Sequence, residues 1–187
     1  LSALIGPAAP VAADNETSSG YINAVEVWSG THNVAGDIII SPGAKLIIEP
    51  STEVIFSNGT SLEARGNLCI GAVSCGASQD ATSATRISMT WTDPENASAS
   101  GDCDGMTFGT STLGIEDPSC GEGIIIRSTI DLAQTALRHL DIDSAWGVPF
   151  PVPIVNQFRY GALVLQGASP ELIELQFTDT NTSSVLA

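Results

Sequence analysis

The sequence predicts an all-β fold, a three-faced β-solenoid, and three observations predict it. Between Gly36 and Ala72 apolar pairs recur at Ile38/Ile40, Leu46/Ile48, Val54/Phe56 and Leu62/Ala64, with first members eight residues apart. Turn formers separate the pairs: Ser41-Pro42-Gly43, Pro50-Ser51-Thr52 and Ser57-Asn58-Gly59-Thr60. The composition is 43% hydrophobic but only 5% aromatic, with 18 Gly and 10 Pro, which suits an aliphatic core and many corners.

The period carries the argument. Two apolar residues two apart share one face of a strand. A repeat of eight does not fall on one stripe of a 3.6-residue helix. A β-meander is the rival, because hairpins also give alternation with turns between strands. Pro42 and Pro50 suit a bend in a coil better than a tight two-residue hairpin. Three strand-corner units then make a coil of roughly 24 residues. Successive coils stack by parallel pairing about 4.8 Å apart. On this reading Ile38, Ile40, Leu46, Ile48, Val54, Phe56 and Leu62 enter one core.

Taken in order, residues 1–13 (LSALIGPAAPVAA) are small and apolar. Val11-Ala12-Ala13 fits the small-x-small pattern of a signal-peptidase site, so this stretch reads as a signal-peptide remnant or as an apolar N-terminal arm. Residues 14–187 read as a single β-solenoid domain. Val25 and Val27 are expected to be the apolar members of a first short strand, with Trp28 in the core or capping an open end. Residues 73–85 are a small-residue loop, and Ile87, Met89 and Trp91 alternate as a strand. Residues 93–122 break the pattern with Asp93, Glu95, Asp102, Asp104, Glu116, Asp117 and Glu122, and are expected to be an excursion braced by a disulfide. Strands resume at Gly123–Arg127 and Leu137–Asp143. Residues 147–159 carry three prolines and read as an extended excursion. Ala162–Leu165, Leu172–Phe177 and Val185-Leu186 are the last expected strands. An apolar last strand without a polar cap implies a longer protein or stacking on another subunit.

Charge excludes some partners. Six Lys plus Arg against 21 Asp plus Glu give a net charge of −15, and Lys45 is the one lysine. Such a surface repels nucleic acid and anionic lipid. No segment reaches the length of a membrane-spanning helix. Cys69, Cys75, Cys103 and Cys120 have no CxxC spacing and no nearby His, so disulfides are favoured over zinc. Three connectivities are possible. Locality selects Cys69–Cys75 and Cys103–Cys120. Sequons begin at Asn15, Asn58, Asn96 and Asn181, all in corner or loop sequence where a glycan is tolerated. Together these features point to a secreted protein on the extracellular surface.

Candidate chemistry is sparse. Asp102-Cys103-Asp104-Gly105 has the alternate carboxylates and glycine of half a Ca²⁺ loop. Glu116 and Asp117 would complete it if the Cys103–Cys120 bridge folds them back; Ca²⁺ is the one cofactor the sequence suggests. His139, Asp141 and Asp143 alternate, so they would line one outer face about 7 Å apart, either as metal ligands or as a plain solvated face. Neither His32 nor His139 has the context of a Ser-His-Asp triad.

The run GDIIISPGAKLIIEPSTEVIF, then Leu62-Glu63-Ala64-Arg65-Gly66-Asn67-Leu68, then Arg86-Ile87-Ser88-Met89-Thr90-Trp91 resembles the opening of secreted right-handed parallel β-helix repeat proteins of the pectate-lyase-like superfamily. Gly167-Ala168-Ser169-Pro170-Glu171-Leu172-Ile173 is similar to a corner of their later coils. Ser51 stands where these proteins usually carry Gly, which suggests an ordinary turn there. The resemblance spans roughly residues 28–92 and 123–187. It implies a right-handed parallel β-helix, a fold that serves adhesins, structural repeats and polysaccharide enzymes alike. Arg127 and Arg159 are the strand cations nearest the acidic excursion, but neither lies in a lyase-like motif, and no Asp-Asp pair stands beside a His-Gly. The expectation is therefore an extracellular structural or adhesive module, partnered by itself end to end or by surface polysaccharide. A carbohydrate-binding or polysaccharide-cleaving domain is the alternative.

Overall fold

The computed structural model describes residues 16–57, 59–76, 81–92, 122–127, 135–145, 147–152, 157–180 and 183–186. In chain order the strands are β1 (Glu16–Ile22), β2 (Val25–Trp28), β3 (Thr31–Ile40), β4 (Lys45–Ile48), β5 (Glu53–Phe56), β6 (Ser61–Ala64), β7 (Asn67–Ile70) and β8 (Ile87–Trp91). They continue with β9 (Gly123–Arg127), β10 (Ala136–Arg138), β11 (Leu140–Asp143), β12 (Val148–Val152), β13 (Gln157–Gln166), β14 (Glu171–Ile173), β15 (Gln176–Thr178) and β16 (Ser183–Leu186). The described fold is all-β, in one sheet of 11 strands and one of five. Every pairing between these strands is parallel except β12 with β13.

The pairings form three rows. The first is β2-β4-β7-β10-β14, the five-stranded sheet. The long strand β3 serves two rows, because its halves have different partners. Thr31–Val34 pair with β5, which leads to β8, β11 and β15 in the second row. Ile38–Ile40 pair with β6, which leads to β9, β13 and β16 in the third. β1 lies along both halves of β3. With β12 set aside, the chain from β2 onward visits the first, second and third row in turn.

Alternation sends every other side chain inward. Ile38, Ile40, Leu46, Ile48, Val54, Phe56 and Leu62 all lie in one core cluster, as the eight-residue pattern predicts. Each fully buried aliphatic or aromatic side chain contributes about 1.5–3 kcal/mol. Register stacks like on like: Phe56 pairs with Trp91, and their rings lie 4.4 Å apart and nearly parallel. Trp91 Nε1 donates to the Thr60 carbonyl at 2.7 Å, so its one polar atom is satisfied.

The period is less regular than eight. Partners Ile38 and Leu62 are 24 residues apart, but Thr31 and Glu53 are 22 apart and Val25 and Lys45 only 20. The corners carry left-handed residues. Between the first and second rows these are Gly30, Ser51, Gly71, His139 and Glu174, all with φ between 49° and 80°. Ser51 is therefore no ordinary turn residue; at φ 65° it takes the conformation that glycine adopts without cost. At Gly71 the space is closed as well, since a Cβ would meet the Arg138 carbonyl oxygen at 2.4 Å.

Three further expectations are corrected. Val25 and Val27 do form a strand, but they face outward and are 65% and 44% exposed. Their neighbours Glu26 and Trp28 register with the inward Leu46 and Ile48. Leu137–Asp143 and Leu172–Phe177 are not single strands: His139 and Glu174 bend each into two, in different rows. The 147–159 stretch is not a plain extended excursion, because β12 pairs antiparallel with the start of β13. Pro149 and Pro151 are tolerated because β12 is an edge strand, where a missing N–H breaks no ladder.

Candidate functional site

Outward-facing side chains separate the rows chemically. On the second row two straight columns run across the sheet: Thr31-Glu53-Ser88-Asp141-Gln176 and Asn33-Ile55-Thr90-Asp143-Thr178. None of these ten residues is buried. Side chains along each column are about 4.8 Å apart. Thr31 Oγ1 donates to Glu53 Oε2 at 3.3 Å, and the Ser88 and Thr90 hydroxyls lie 3.4 Å apart. The face is a mostly polar ladder, with Ile55 its one apolar member.

On the third row the outward column is Tyr21-Ile39-Glu63-Ile125-Val164. Ile39, Glu63, Ile125 and Val164 are buried there, and Val148 of β12 packs with Ile125 and Val164 in a second apolar cluster. Glu63 has no exposed surface at all. Its carboxylate is gripped by two guanidinium groups. Arg65, two residues along the same side of the chain, donates from Nε to Oε1 at 2.7 Å and from Nη2 to Oε2 at 3.2 Å. Arg127, on the adjacent strand, donates from Nε to Oε1, and from Nη1 to Gln166 Oε1 at 2.5 Å. An ionised carboxylate in such a place costs several kcal/mol unless it is paired in this way. Both Glu63 oxygens already accept charged hydrogen bonds, so the arrangement is suited to holding strands together.

A third cluster sits at the corner between the first and second rows. Arg86 donates from Nε to both oxygens of Asp141, at 2.7 and 2.9 Å, and from Nη2 to the Glu174 carbonyl at 2.9 Å. The hydrogen bond to Asp141 raises the Arg86 pKa above its ordinary value, with the Asp141 and Glu174 charges adding to it and desolvation opposing it. His139 Nδ1 lies 2.9 Å from Glu174 Oε2. Arg138 Nε donates to Glu171 Oε2 at 2.9 Å. These residues link β8, β10 and β11 to β14 and the bend after it.

The residues singled out by sequence fall as follows. Cys69 and Cys75 form a disulfide with Cα atoms 5.4 Å apart. Cys103, Cys120, Asp102, Asp104, Glu116 and Asp117 lie outside the described residues, as do Asn15, Asn58, Asn96 and Asn181. His139 does not join a row with Asp141 and Asp143, because it occupies the bend at φ 50° and faces Glu174. Asp141 and Asp143 do share the second-row face. Arg127 belongs to the Glu63 cluster, and Arg159 lies on β13 opposite Phe150 of β12. Among the described residues no group of three or more His, Cys, Asp or Glu is gathered in a way that would hold a metal ion. No helix among them is long and apolar enough to cross a membrane.

Sequence reasoning missed Glu63, Arg65, Arg86 and Glu174. Leu62-Glu63-Ala64-Arg65 alternates like any half-exposed strand, so no local signal marks Glu63 as buried. The sequence also missed the polar end of the core. Trp28 stacks on His32 with ring centroids 4.0 Å apart, Trp28 Nε1 donates to Glu26 at 2.6 Å, and His32 Nε2 lies 2.9 Å from Ser18 Oγ. No protein-family model, curated protein or solved structure matches the chain.

Proposed function

We propose that the three rows are the three faces of a right-handed parallel β-helix of the pectate-lyase-like type, and that the chain works as an extracellular structural or adhesive module. The single observation that carries this reading is the mostly polar, in-register ladder of the second row. A cleft-based enzyme needs converging groups that shield a reacting atom from water. An exposed face of regularly spaced, mostly polar side chains instead offers a surface for adhesion or lateral support. The Cys69–Cys75 disulfide supports an oxidising, extracellular location.

End-to-end stacking belongs to the same proposal. The inward ladders reach Leu172, Phe177 and Val185 by register with the buried Leu137, Ile142 and Leu163. Leu172 and Val185 are 38% and 40% exposed. A further coil from a second copy would bury them and pair the open strand edges.

A second reading, a carbohydrate-binding or carbohydrate-cleaving domain, is favoured by Asp141 and Asp143. They stand two residues apart on one strand face, so their backbones are about 7 Å apart, and glycosidases work with two neighbouring carboxylates. The Arg86 clamp on Asp141 weighs against it.

Light scattering and electron microscopy of the purified chain test the first reading. Concentration-dependent rods, abolished by Val185→Glu, are expected. A monodisperse monomer at every concentration overturns end-to-end stacking. Release of reducing sugar from a polysaccharide, lost in Asp143→Asn, would replace the structural reading with the second.

A further inference from the structure

We draw no further inference here: the strongest candidate, the half-exposed apolar ends of the inward ladders at Leu172, Phe177 and Val185, already belongs to the stacking surface proposed above, and nothing in the structure shows what else covers it.

Discussion

The outward faces of the second and third rows are written in the same alternating code and end in opposite environments. Ile55 and Ile125 are both outward residues between inward neighbours. Ile55 is half-buried on a polar ladder; Ile125 is buried against Val148 and Val164. The carboxylates diverge in the same way. Asp143 shares the open face with Thr90 and Thr178, whereas Glu63 is enclosed by two arginines. Alternation therefore separates inside from outside, but it does not say whether the outside is water. That depends on what packs over the face: here Val148 of β12 lies against Ile125 and Val164, and Arg65 and Arg127 close over Glu63.

The largest expected effect comes from placing one charge on each face. Ile125→Asp leaves a carboxylate without a designed partner in an apolar cluster and should cost on the order of 5 kcal/mol. Ile55→Asp should cost about 1 kcal/mol or less, because water reaches the second row. At roughly 2–4 °C per kcal/mol for a chain of this size, thermal melts separate the two variants clearly. Equal melting temperatures would mean that the faces do not differ as described.

Removing the native carboxylates gives the next contrast. Glu63→Ala strands two guanidinium groups and should destabilise by about 3–5 kcal/mol. Asp143→Ala should stay within about 0.5 kcal/mol. Urea unfolding with a common m-value would measure both. A neutral Glu63→Ala would show that Arg65 and Arg127 are satisfied without it.

Arg86→Met probes the corner that ties the rows together, with an expected loss of about 1–2 kcal/mol. Hydrogen exchange should speed up at residues 171–178 and stay unchanged at 54–56. Because Arg86 is held above its ordinary pKa, its share of stability is fully present at neutral pH. It is lost only as pH rises through that raised value, in strong alkali. A difference between wild type and variant that vanished between pH 7 and 9 would contradict this assignment.

The smallest effect is expected at Ser51, which lies on neither face. Ser51→Gly relieves a left-handed conformation worth about 1 kcal/mol. It also adds about 0.5–1 kcal/mol of unfolded-chain entropy. Calorimetry should therefore find a net change within about 0.5 kcal/mol. A large loss would assign the Ser51 side chain a role beyond its backbone geometry.

By itself the sequence determined the interior. Ile38, Ile40, Leu46, Ile48, Val54, Phe56 and Leu62 are legible as one core because strand alternation is local and punctuated by Pro and Gly. The Cys69–Cys75 bridge is legible for the same reason, since it closes a short loop. Only the tertiary structure decided the corners at His139 and Glu174, where no Gly or Pro marks the break. There the left-handed bend is held by stacking on neighbouring strands, as when the His139 N–H donates to the Ile173 carbonyl at 2.8 Å. It also decided that Val25 and Val27 face out while Glu26 and Trp28 face in, because register with β4, and not hydrophobicity, sets which residues point inward. The burial of Glu63 is decided the same way. Arg127 lies 64 residues along the chain from it and is brought alongside only when β6 and β9 pair.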